Sequence, residues 1–320
     1  MEYRKLGRTG LKVSELCMGT MQFGWSVDEA DSQRIMSQTL DSGINFFDTA
    51  NIYSRWVKGN PGGVAEEFIG RWMKQAKVPR DRLVIATKVR GKMGDGPNDE
   101  GLSRVHIMKE VEESLKRLNT DTIDLYQTHW PDDDTPIEET LRAMDELVRQ
   151  GKVRYLGASN YKAWELMQAL WTSDVNGLAR FDSLQPHYNL IKRAEFEAEL
   201  RDVCKTYGIG VIPYSPLAGG FLTGKYRAGK PLPDSLRAEG RKKYMTEKNL
   251  TLIGKLDEVA QAHKATISQV ALAWMLADEV ITSPIISATS LTQLEENLGA
   301  LDLKLSPEEK ATLDDLTAWE

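Results

Sequence analysis

Eight short runs of apolar or β-branched residues recur along this chain, at 16–18, 44–47, 83–86, 123–126, 154–157, 183–185, 210–213 and 284–286. Stretches with helical periodicity lie between them, at 29–40, 65–73, 105–118, 137–148, 164–170, 194–206 and 267–276. Alternation of this kind leaves few folds open, because each parallel strand needs a crossover, usually a helix, to reach the next. Eight such units predict a (β/α)8 TIM barrel, which takes about 250 residues. The chain has 320, so some of it must lie outside the barrel. Residues 3–6 and 11–13 read as an N-terminal β-hairpin that plugs the barrel floor. A long loop after strand 7 carries Gly219, Gly220, Gly224, Gly229, Pro231 and Pro233, and a helical stretch at 250–263 follows it. A C-terminal helix is expected over 306–316, opened by the capping box Ser306-Pro307-Glu308-Glu309. No shift in composition marks a linker, and residues 1–320 read as one domain.

Composition narrows the function classes. The chain is 41% hydrophobic and 28% charged with a mean hydropathy of −0.42, which suits a water-soluble globular protein burying roughly three quarters of its unfolded surface. A net charge of −6 argues against nucleic acid or an anionic membrane as a partner. No apolar run approaches the roughly 20 residues that span a bilayer, and residues 1–10 lack the apolar core of a secretion signal, so the expected location is the cytoplasm. Cys17 and Cys204 form no metal or redox spacing and read as small buried hydrophobes. No metal site is expected. Of the four histidines, His106 and His263 fall in helical stretches, and only His129 stands at the end of a strand run.

A barrel of this type does its chemistry at the carboxyl ends of its strands. Run two ends in Asp48, run three in Lys88, run four in His129, run five in Ser159 and Asn160, run six in Gln185 and run seven in Tyr214 and Ser215; Tyr53 follows five residues after Asp48. Each alone is an ordinary structural residue. Three successive strands closing in Asp, Lys and His are hard to obtain by packing alone. Asp48, Tyr53, Lys88 and His129 fit proton transfer to a carbonyl: Lys88 lowers the phenol pKa of Tyr53, Asp48 holds Lys88 charged, and His129 orients the carbonyl oxygen.

With these residues in view, the chain resembles the aldo-keto reductases, and nearly its whole length takes part. The resemblance is carried by Gly19-Thr20, the 43–50 segment with Tyr53, Lys88, the 124–129 segment, 157–160, Gln185, the 214–220 run with 224–226, and 293–297. The 214–225 stretch looks closest to the bacterial general reductases and the potassium-channel β subunits of that family. The resemblance implies Tyr53 as proton donor, Lys88 and Asp48 as its tuning pair and His129 as substrate orienter. It also implies an NADP(H) cofactor, with Gly19 and Thr20 in the cofactor site and Ser159, Asn160 and Gln185 on the nicotinamide carboxamide. Tyr214 would stack on the ring, Ser215, Leu217, Lys225 and Arg237 would line the pyrophosphate loop, and Thr289, Gln293, Glu296 and Asn297 would hold the adenosine end. Where better-known members clasp the 2′-phosphate with Lys and Arg, this chain has Ser287 and Gln293, so NADPH is expected and NADH is the alternative.

Trp25, Trp56 and Trp130 fall in loops after strands one, two and four and could wall the cleft for a small-molecule carbonyl substrate, an aromatic lining that favours apolar compounds. Arg55 and Lys58 beside Trp56 would suit an anionic one. Two rival readings are a Schiff-base aldolase using Lys88 and a cofactor-binding regulatory subunit with slow turnover. Length and charge leave monomer and ring equally open.

Overall fold

The computed structural model describes residues 1–227, 229, 231–233 and 237–319. Strands β1 (Tyr3–Lys5) and β2 (Lys12–Ser14) pair antiparallel as the expected hairpin. Eight parallel strands follow: β3 (Cys17–Gly19), β4 (Phe46–Asp48), β5 (Val84–Val89), β6 (Ile123–Thr128), β7 (Val153–Ser159), β8 (Phe181–Gln185), β9 (Gly210–Val211) and β10 (Ile285–Ile286). Each lies beside its neighbour in sequence, and β10 returns to pair with β3. Bridges from Val211 to Ile281 and from Tyr214 to Ile285 join the last two strands, closing the (β/α)8 barrel.

Side-chain alternation along each strand sorts the core into an inside and an outside. Phe46, Val84, Ala86, Leu125, Ile212 and Ile285 point inward with Cys17, and the hairpin contributes Leu6 and Val13 to that cluster, so it does plug the floor. Phe47, Ile85, Val89 and Tyr126 point outward into the larger core. Around the barrel run α1 (Glu29–Asp41), α2 (Val64–Gln75), α3 (Arg104–Leu118), α4 (Ile137–Arg149) and α5 (Ala163–Asn176). The stretch expected as one helix over 194–206 is two, α6 (Ala194–Glu197) and α7 (Leu200–Tyr207), with Glu199 between them at a non-helical φ of −143°. The loop after β9 contains a short helix, α8 (Ala238–Arg241), that its turn residues do not announce. Helix α9 (Glu247–His263) starts earlier than expected because the Thr246 side chain caps it, accepting from the Asn249 amide. Then come α10 (Ile267–Leu276), α11 (Leu291–Leu298) and α12 (Pro307–Leu316), the last opened by the Ser306–Glu309 capping box. No helix among the described residues is long and apolar enough to cross a membrane.

A buried ionic network fastens α2 and α3 to the back of β5. Arg117 on α3 donates to Glu66 on α2 at 2.6 Å and lies 3.5 Å from Glu110, while Thr87 on β5 donates to Glu66 at 2.5 Å. The Asn51 amide, three residues beyond Asp48, donates to Glu110 at 3.1 Å. Removing the cation leaves two buried carboxylates without a counterion, which costs far more than the pair itself contributes. Arg117→Met is therefore expected to lower the unfolding free energy in urea titration by about 3–5 kcal/mol; a loss below about 1 kcal/mol, the scale of an exposed pair, would show that the network carries no such weight.

Candidate active site

The inward face of the barrel changes character at its carboxyl end. Two residues past Phe46, Ala86 and Leu125, on the same inner face, come Asp48, Lys88 and Gln127, all buried. The Lys88 ammonium is fully enclosed and each of its protons has an acceptor: Asp48 Oδ1 at 2.5 Å, the Thr49 carbonyl at 2.9 Å and Tyr53 Oη at 2.9 Å. Burial alone would lower the Lys88 pKa, but Asp48 and Tyr53 outweigh it and hold the group above its ordinary value. Lys88 is thus a fixed cation.

Tyr53 departs from the sequence expectation. Burial pushes its phenol above the ordinary value near 10; Lys88 pulls the other way, and Asp48 adds to the rise. The ammonium softens the cost of a phenolate here without reversing it, because a phenolate out of water loses more than one shared cation returns. His129 closes this side of the mouth, its ring centroid 6.0 Å from that of Tyr53 and stacked on Trp130 at 3.8 Å. Burial, with Lys88 and Arg90 nearby, holds the imidazole well below its usual value, so it is neutral. Among the described residues its Nδ1 has no partner.

Two amides complete the layer. Gln185 Nε2 donates to Asp48 Oδ2 at 2.8 Å and to Gln127 Oε1 at 3.2 Å, and Gln127 Nε2 donates to the same Asp48 oxygen at 3.1 Å. Gln127 escapes the strand-end reading because it lies inside β6, although alternation from Leu125 puts it on the inner face. Gly157 on β7 makes room for it: a Cβ there would meet Gln127 Cγ at 3.0 Å and Ser183 Oγ at 2.5 Å.

The rim is woven from the ends of four strands, β6 to β9. Ser159 Oγ donates to the Gln185 carbonyl at 3.0 Å. Asn160, in the left-handed region at φ 63°, donates to the His129 carbonyl at 2.9 Å and accepts from Tyr214 Oη at 2.9 Å. His187 stacks on Tyr214 with ring centroids 4.9 Å apart. Gly19 has no room for a side chain, with Ile285 Cγ2 2.6 Å from a Cβ position, and Thr20 is buried with its hydroxyl on the Asp48 carbonyl at 3.0 Å. After β9 the backbone is left-handed at Ser215, Ala218, Gly219, Gly220 and Gly224. Leu217 packs against the core. Arg237 lies over the Trp25 ring at 5.1 Å, Trp25 meets Trp56 edge-on at 5.7 Å, and Trp56 meets Tyr53 at 6.3 Å. All three tryptophans therefore connect to the mouth. The remaining residues gather at α11: Thr289 donates its amide and hydroxyl to Gln293 Oε1 at 2.9 and 3.0 Å, Ser290 caps the helix, and buried Asn297 donates to the Ser287 carbonyl at 3.2 Å. Glu296, on the same helix, is half-buried, and its carbonyl accepts from Gln269 at 2.9 Å. Burial pushes the Cys17 thiol well up and that of Cys204 up to about 12, so neither is a reactive thiolate.

Residues 15–318 match the sequence model of the aldo/keto reductase family. The chain belongs to that family. Its relatives include the uncharacterized oxidoreductase YrpG of Bacillus subtilis (strain 168), 40% identical over 321 residues that cover 99% of this chain and 96% of that protein. A probable voltage-gated potassium channel subunit beta of Oryza sativa subsp. japonica is 37% identical over 316 residues, covering 96% and 94%. The L-glyceraldehyde 3-phosphate reductase of Escherichia coli O157:H7 is 37% identical over 326 residues, covering 98% and 92%.

The low imidazole pKa has a direct consequence. Below the ordinary value near 6.5 the unfolded chain takes up a proton that folded His129 refuses, so this residue makes stability fall as pH drops. In histidine-selective NMR, His129 is expected to stay neutral as the pH falls through the ordinary imidazole value near 6.5; a midpoint near 6.5 would contradict the burial argument.

Proposed function

We propose that this protein is a cytoplasmic NADP(H)-dependent reductase that converts aldehydes or ketones to alcohols, with Tyr53 as proton donor. The observation that carries the reading is the direction of one hydrogen bond. Lys88 donates to Tyr53 Oη, so that oxygen is already an acceptor and the phenol's own proton is free to leave toward a ligand. A carbonyl oxygen beside Tyr53 and neutral His129 would accept that proton, and the phenolate left behind would face the Lys88 ammonium. Asp48 keeps the ammonium aimed, and solvent returns the proton to Tyr53 afterwards. A reduced nicotinamide, when bound, supplies the hydride that the carbonyl carbon needs.

The chain's residues fit such a dinucleotide. At Gly219 and Gly220, with φ of 63° and 94°, a Cβ would lie 2.5 Å from the Arg241 guanidinium and 3.2 Å from Lys225 Nζ. Two cations thus flank bare left-handed backbone, a chemistry that suits a pyrophosphate. Ser215, Leu217, Lys225 and Arg237 would form this loop, Tyr214 the shelf for the ring, and Ser159, Asn160 and Gln185 the polar rim. Thr289, Ser290 and Gln293 at the start of α11 would take the adenosine end, where a helix amino terminus favours a phosphate. Trp25, Trp56 and Trp130 suit an apolar or aromatic carbonyl compound.

The aldolase alternative loses support, because Lys88 has acceptors for three protons and no lone pair to attack a carbonyl. A second reading, a cofactor-binding subunit with slow turnover, is favoured by the similarity to the rice protein. Titration calorimetry with NADPH and NADH separates the outcomes: binding of neither removes the dinucleotide reading, and tight binding with negligible turnover on a panel of aldehydes and ketones favours the subunit. Tyr53→Phe is expected to bind cofactor as the parent does and to lose about 100-fold or more in turnover. Near-normal turnover would remove Tyr53 from the donor role. Gln293→Arg is expected to raise the NADPH-to-NADH affinity ratio, and an unchanged ratio would displace the adenosine end from α11.

A further inference from the structure

The triangle between Asp48, Gln127 and Gln185 has a logic separate from proton transfer. Asp48, facing Lys88, is an acceptor at both oxygens, so both glutamines must turn their amide nitrogens toward it. Turning Gln185 over would set its oxygen against Asp48 Oδ2 and Gln127 Oε1, two acceptors within 3.2 Å. The side-chain amide has two protons, and both are taken. It can therefore offer a ligand only its carbonyl oxygen. Gln127 supplies the second constraint, and its own orientation is fixed because its nitrogen is on Asp48 and its side chain fills the space left by Gly157.

We propose that Gln127 is a positioning residue: by holding the second amide proton of Gln185 it leaves only an acceptor facing the mouth, and so makes the site selective for a nicotinamide whose 3-substituent carries an N–H. The inference rests on the dinucleotide reading above and adds to it a residue and a selectivity. A carboxamide donates to that oxygen. An acetyl group at the same ring position has only an acceptor, which meets another acceptor and leaves both unpaired. Without Gln127, one proton of Gln185 is released, the amide presents a donor as well, and the acetyl group finds a partner.

The test compares binding of NADP+ and of its 3-acetylpyridine analogue by calorimetry, in the parent protein and in Gln127→Met, which preserves side-chain length. The parent is expected to prefer NADP+ by on the order of tenfold, the scale of one unpaired buried hydrogen-bonding group, and Gln127→Met to shrink that preference to about threefold or less. A merely structural role would weaken both ligands alike and leave the ratio intact. Equal binding of the two by the parent overturns the proposal, as does a full ratio retained by the variant. Binding of neither by the parent overturns the dinucleotide reading, and this proposal with it. Should Gln127→Met fail to fold, Gln127→Asn keeps an amide too short to reach both partners and is expected to show the same collapse of the ratio.

Discussion

An ammonium removed from water needs an acceptor for each of its protons, and an anion close enough to offset its lost hydration. Lys88 meets both conditions with Asp48, the Thr49 carbonyl and Tyr53. Those partners come from one short segment, residues 48–53, that leaves β4 and turns over the end of β5. The charge therefore does structural work before any chemistry: it draws this segment down onto the barrel mouth and fixes the phenol at hydrogen-bond distance. A neutral residue at 88 would leave Asp48 as a buried carboxylate with only two amide donors.

The same segment is held from its other side. Asn51 reaches outward to Glu110, within the ionic network of Glu66 and Arg117, while its backbone amide donates to the Lys88 carbonyl at 3.2 Å. Inner and outer networks thus share β5 and the loop after β4, with Lys88 pointing in and Thr87 pointing out on consecutive residues. Geometry at Tyr53 depends on both. A change in the helical layer at Glu110 or Arg117, outside the barrel, has a short mechanical path to the phenol through Asn51.

Much of this was legible in the sequence. Eight apolar runs sufficed for the barrel because a parallel strand without its helix has nowhere to go, and the strand-end positions of Asp48, Lys88 and His129 sufficed for the mouth. Helix starts were legible where a cap signals them, as at Ser306, and less so at α9, where Thr246 lies outside the apolar periodicity. Gln127 was missed because the apolar run stops at Tyr126 while β6 continues to Thr128, and only the alternation from Leu125 shows that Gln127 faces inward. The sign of the Tyr53 shift was missed for a different reason: sequence order shows which charges can meet but not how much water they lose, and here the lost water outweighs the cation.

That balance bears on how the site would operate. Burial holds the phenol above its ordinary value, so Tyr53 keeps its proton through the physiological range and is available as an acid rather than a base. The same loss of water makes the phenol sensitive to any charge brought near it, since a field acts more strongly where little solvent screens it. A cation arriving beside Tyr53 lowers the cost of the phenolate, and an anion raises it. Neutral His129 adds no charge of its own and leaves that response to Lys88, Asp48 and the ligand. In the proposed reaction, release of the Tyr53 proton would thereby be tied to the charge of whatever occupies the mouth, and the acid would need no separate trigger.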